Sequence, residues 1–195
     1  MDAPAAILFW RRLDAPGHDC CRLFRRADGY RLLGDAVFLE ARRACHLRYQ
    51  VNADRRFRTA GATVSGHIGS RPVDLRIRPG ANGWELNGEP YPETAGCLDV
   101  DLGFTPATNL LPLRRLHLRA GAAADAPAAY LAFPRLTLQR LPQQYRRLSR
   151  TEYDYRSPDH GYRAVLRVLP VGAVVDYPGL FRLLNGRSAA DPSGG

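Results

Sequence analysis

The chain has 195 residues, 45% of them hydrophobic and 24% charged, an ordinary globular composition for one domain. A chain of this size buries about 70% of its unfolded surface, so disulfides are not needed for stability. The net charge is +9, with 28 basic residues that are all arginine; it favours anionic partners, but no helix-turn-helix, zinc-finger spacing or RNP-like aromatic pattern accompanies it, so nucleic acid is not expected.

The N-terminus, MDAPAAILFWRRLD, has an acidic residue before a short apolar run and arginines after it, the reverse of a secretory signal. No stretch approaches the roughly 18 apolar residues of a spanning helix, and a cytoplasmic location is expected. Residues 8 to 13 read as an apolar entry, followed by the loop DAPGHDCC. CRLFRRADGYRLLGDAVFLE then reads as two strands about an Asp28-Gly29 turn, a dipeptide that readily supplies the positive φ of a tight hairpin. In HLRYQVNAD, Leu47, Tyr49 and Val51 alternate with His46, Arg48 and Gln50, and FRTAGATVSGHIG follows as a strand.

PVDLRIRPGANGWELNGEPY carries two hairpin signals, Asn82-Gly83 and Asn87-Gly88, with Val73, Leu75 and Ile77 facing away from Asp74, Arg76 and Arg78. Such period-two patterning marks a half-buried antiparallel strand. CLDVDLGF repeats it, setting Leu98, Val100 and Leu102 against Asp99 and Asp101. In FTPATNLLPLRR, Thr105 suits an N-cap and Pro106 a first helical residue. A short helix over Ala107 to Leu111 is expected, ended by Pro112, with Arg114-Arg115 opening a strand through Leu116 and Leu118. AYLAFPRLTLQRL is a strand broken by Pro134, which suggests an edge or bulge, and residues 144 to 185 close the fold with two or three more strands. One domain over 1–185 and a disordered tail over 186–195 are expected, the fold being all-β.

Four cysteines, Cys20, Cys21, Cys45 and Cys97, have no C-x-x-C spacing and read as free thiols. No metal or other cofactor is expected. Asp99 and Asp101 share a strand face and form a possible carboxylate pair, for which a solvated face neutralised by arginines is the favoured reading. Asp14, His18 and Asp19 form a second candidate, a histidine beside two carboxylates being a possible general base or a capped turn. G-x-S-x-G, P-loop, G-x-G-x-x-G and H-E-x-x-H patterns are absent. Apolar rows (Leu136 and Leu138; Tyr162 to Val168) beside Arg114, Arg115, Arg146 and Arg147 suit an amphiphile with an oxyanion or sugar head, which guanidinium binds well.

The ordered series WRRLDAPGHDCCRL, GDAVF, LRYQVNAD-x-x-FRT, GCLDVDLGFTPATNLLPLRRLHL, QYRRL and VVDYPGLF, from Trp10 to Phe181, resembles the putative glycolipid-binding family of bacterial proteins. The resemblance implies a spiral β-roll, a many-stranded antiparallel sheet curled around one α-helix, and a homodimer. Phe57 and Phe181 stand where the family often has tryptophan, and Ala60 where arginine is expected. Non-enzymatic binding of an amphiphile or glycolipid in an apolar groove with an arginine-containing rim is therefore expected. Arg58, Arg114, Arg115, Tyr145 and Arg146 are the expected polar contacts, with His18 and Asp14 near one rim. The alternatives are a hydrolase of a sugar or lipid ester, built on His18 with nearby aspartates, and a structural protein acting through its dimer surface.

Overall fold

The structure, a computed structural model, describes residues 3–188. The first arm of the chain is β1 (Ala6–Arg12), β2 (Gly17–Arg26), β3 (Gly29–Glu40), β4 (Arg43–Asp54), β5 (Thr59–Ile68), β6 (Arg71–Gly80), β7 (Gly83–Leu86) and β8 (Glu89–Tyr91). The middle holds β9 (Asp99–Leu102), the helix α1 (Leu110–Leu116), β10 (Ala123–Asp125), β11 (Ala128–Ala132) and β12 (Thr137–Leu141). The last arm is β13 (Gln144–Arg147), β14 (Glu152–Ser157), β15 (Tyr162–Val168), β16 (Val174–Tyr177) and β17 (Phe181–Ser188).

Fourteen strands form one sheet, ordered β10-β13-β14-β15-β16-β17-β1-β2-β3-β4-β5-β6-β7-β8. β1 lies in its middle, paired antiparallel to both β2 and β17, so the two arms run outward from it. The end strands β10 and β8 do not pair with each other, and the sheet curls without closing. β9, β11 and β12 form a separate small sheet in which β11 runs parallel to β9 and antiparallel to β12. This is the all-β roll about one short helix that the sequence implies.

The strands follow the expected alternation. On β4, Leu47, Tyr49 and Val51 are fully buried while Arg48 is exposed. The Asp28-Gly29, Asn82-Gly83 and Asn87-Gly88 signals each join neighbouring strands of the sheet. Trp10, Phe104, Tyr49, Tyr145 and Tyr155 fill the interior, each contributing about 1.5–3 kcal/mol or more by burial. The indole N–H of Trp10 donates to the Val174 carbonyl at 2.6 Å, tying β1 to β16.

Five local expectations are corrected. Arg114-Arg115 do not begin a strand: a 3₁₀ turn over Ala107–Asn109 leads into α1, which contains Pro112, Arg114 and Arg115 and stops at His117 in the left-handed conformation. Pro112 is tolerated because it sits in the first turn of α1, where a missing N–H costs little. Asp99 is not on a solvated face, being 1% exposed, whereas Leu98 is 40% exposed. Pro134 lies in the turn between β11 and β12, after a cis peptide bond from Phe133. Five strands, not two or three, follow residue 143 among the described residues. β17 continues through Ser188, so residues 186–188 are strand, and the rest of the tail expected over 186–195 lies outside the described residues. Among the described residues no helix is long and apolar enough to cross a membrane.

Candidate binding clefts and a buried polar network

The loop and helix after β9 carry polar side chains into the interior. Alternation along β2 turns Asp19 inward with Cys21 and Leu23, and leaves His18 outward. Asp19 accepts bonds from the Thr105 hydroxyl and from the Tyr49 hydroxyl at 3.0–3.1 Å. Tyr49 reaches it by lying against Gly34, its cross-strand partner, where a Cβ would come within 2.2 Å of the ring. Burial pushes the Asp19 carboxyl up to about 7, against the opposing pull of its two hydroxyl donors.

A second cluster lies at the other arm. The Gln143 amide donates to Asp101 at 2.6 Å, and the Thr108 hydroxyl approaches the same carboxylate at 3.4 Å. Part of Asp101 reaches the surface while its carboxylate is enclosed, and burial pushes it up to about 6. Tyr145 donates to Gln143 at 3.3 Å and accepts from the Asn109 amide at 3.0 Å. Asp99 is held by Arg115 through a bidentate pair, 2.5 and 3.1 Å; its carboxyl still lies above the usual range because burial outweighs the cation. Thr105 thus bonds to β2 and β4, and Asn109 to β13, so the segment expected to be the roll's helix pins both arms.

The expected ligand contacts are dispersed by the fold. Tyr145 is fully buried and Arg115 is engaged with Asp99. Arg58 is exposed, with its backbone N–H on Asp54. Arg146 is exposed on β13, opposite Asp154. Asp14 pairs with Arg12 at 2.6 Å, and His18 stacks on Phe9 on the outer face, ring centroids 5.1 Å apart. His18 and Asp19 therefore face opposite sides of β2, and Asp99 and Asp101 have other partners, so the structure does not gather the hydrolase constellation into one pocket. Arg114 alone of the expected contacts lines one of the two clefts described next.

Those two clefts open at opposite ends of the β13–β14 hairpin. At the Gln144–Arg156 end, a cleft of about 410 Å³ is lined by Asp125, Arg140, Gln144 and Arg156, with Pro127, Pro142 and Pro158 as walls and Gln143 behind. The Gln144 amide donates to Asp125 at 3.0 Å and Arg140 to the Ala95 carbonyl at 2.8 Å, leaving each with unused donors or acceptors. Periodicity could not reveal this cleft, because its residues come from three separate segments, 125–127, 140–144 and 156–158. At the Arg147–Tyr153 end, a smaller cleft of about 180 Å³ lies beside the C-terminal end of α1 and includes Arg114, Arg147 and Arg150.

The sequence model of a family described as "putative glycolipid-binding" matches residues 7–183. No curated protein matches the chain. A crystal structure of a DUF1089 family protein from Pseudomonas aeruginosa is similar, with a TM-score of 0.73 and 30% identity over 84% of this chain and 91% of that one.

Proposed function

The chain belongs to the family described as putative glycolipid-binding, and from that premise we propose that it holds a glycolipid by its sugar head without altering it chemically. The cleft between Asp125, Arg140, Gln144 and Arg156 is the observation that carries this reading. A carboxylate, a carboxamide and two guanidiniums supply acceptors and donors to the paired hydroxyls of a sugar. Three proline rings offer rigid apolar walls to its C–H faces. The volume of about 410 Å³ falls within the usual range for small-ligand sites. Apolar tail surface removed from water would add about 25 cal/mol per Å².

On this reading Arg140 and Arg156 supply the arginine-containing rim. The same reading takes the protein as a homodimer formed through the outer face of β1–β3, where Ile7, Val37 and Leu39 are exposed. It also places the protein in the cytoplasm, a reducing compartment that suits four unpaired thiols.

Native mass spectrometry of the delipidated chain mixed with a bacterial glycolipid extract tests it. Wild type should gain the mass of a glycolipid, and the Gln144→Ala, Arg156→Ala double variant should lose about tenfold or more in affinity, the worth of one or two charge-assisted bonds. A folded wild-type chain that takes up none contradicts the reading.

A further inference from the structure

We propose that the cleft beside the end of α1 is a separate oxyanion-binding site, built to take a phosphate or sulfate group. It does not depend on the sugar reading. Arg114 and His117 reach it from α1 and its cap, and Arg147 and Arg150 from the β13–β14 hairpin. Among the described residues no aspartate or glutamate lines it. Three guanidiniums around about 180 Å³ repel one another, so the fold must hold them there by other means.

Each means is visible, and each supplies only partial negative charge. Arg147 donates to the carbonyls of Leu118 at 2.7 Å, Ser149 at 3.0 Å and Arg150 at 3.3 Å, and its guanidinium lies 5.8 Å from the Tyr153 ring centre. Arg114 lies 5.1 Å over the Phe57 ring and reaches the Pro170 carbonyl at 3.4 Å. Its stem rests on Gly172, whose φ is +92° and where a Cβ would stand 3.0 Å from the Arg114 Cγ and Cδ. The ledge from Pro170 to Gly172 is thus shaped to the arginine. Arg150 is exposed, and its guanidinium has no acceptor among the described residues.

Carbonyl dipoles and ring faces position such cations without neutralising them. The missing partner is a full anion with several oxygens, which planar guanidiniums bind by paired N–H bonds. The apolar floor of Leu113, Val168 and Leu169 lowers the local dielectric and strengthens those bonds. Size narrows the class: the space is below the range of sites that enclose a small organic ligand, and it suits a tetrahedral anion or the phosphate end of a larger molecule.

The test uses inorganic phosphate and sulfate, titrated into the full chain at constant ionic strength by isothermal calorimetry, with chloride as reference. Wild type should bind phosphate saturably, and Arg114→Ala and Arg150→Ala should each weaken it about tenfold, while Arg71→Ala, on the exposed start of β6, leaves it unchanged. All three variants should keep glycolipid uptake, so failure here is distinguishable from failure of the sugar reading. Vesicles of phosphatidylglycerol against phosphatidylcholine alone separate the sources. Phosphate-reversible binding to the former assigns a lipid headgroup, and phosphate binding without vesicle binding assigns a soluble phosphate ester. Heat equal to that of chloride, or equal losses in Arg71→Ala, would overturn the proposal.

Discussion

Asp19 is a carboxylate buried among Cys21, Tyr49 and Thr105, and its proton is the cost of that placement. Because burial raises its folded-state pKa from 3.8 to about 7, the folded chain binds the proton more tightly than the unfolded one. Its contribution is therefore full below about pH 4 and is lost as pH rises through about 7, a difference on the order of 4 kcal/mol. Asp101, pushed up to about 6, acts in the same direction. Urea unfolding should show wild-type stability falling between about pH 4 and 7, and Asp19→Asn should flatten that slope without abolishing it. Equal slopes in the two proteins would refute this account. The sequence shows Asp19 beside His18, as if the two formed one catalytic pair. The better signal was the spacing Asp19, Cys21, Leu23, which puts the carboxylate on the buried face and the histidine on the other.

At the scale of one element, the segment from Thr105 to Leu116 shows how a local pattern can be read two ways. Leu116 and Leu118 alternate with Arg115, His117 and Arg119, as a strand would, but Leu110, Leu113 and Leu116 also recur at the helical interval of three. Burial settles it: Leu110, Leu111 and Leu113 are all nearly inaccessible, and the hydroxyl of Thr105 accepts the Ala107 N–H at 3.1 Å, starting the turn that the threonine and proline signal. α1 has only seven residues, too few to be stable alone, so packing holds it. Leu111→Ala should accordingly cost about 2–5 kcal/mol, and Leu98→Ala, on a side chain 40% exposed, within about 1 kcal/mol. Comparable losses in both, by chemical denaturation, would mean that the helix is not the anchor described. The small sheet was less legible still. β9 pairs with β11 twenty-nine residues away in register and in parallel, and alternation along one strand says nothing about its partner.

For the whole molecule, strand content and the single helix could be read from periodicity and turn residues, whereas strand order could not. An open sheet of fourteen strands has two edges able to recruit other strands, and both are blunted. β10 has three residues and ends in Asp125, and β8 has three with Pro90 in the middle; short, charged or proline-bearing edges disfavour end-to-end pairing. Association should therefore use a face. On the outer side of β1–β3, Phe9 stacks on His18, and His18 pairs across the sheet with Val37. Ile7 and Leu39 extend this strip two residues further along their strands, and Ile7, Val37 and Leu39 are 41–56% exposed. An exposed apolar group on a sheet face, interleaved here with Arg11 and Arg22, is the kind of surface that a self-complementary two-fold contact covers. Sedimentation of wild type should give a dimer, and Val37→Asp should shift it to monomer with an unchanged fold by circular dichroism, because a carboxylate would be desolvated without a partner on both copies at once. A wild-type chain that stays monomeric at all accessible concentrations, or a Val37→Asp variant that stays dimeric, would exclude this face as the contact.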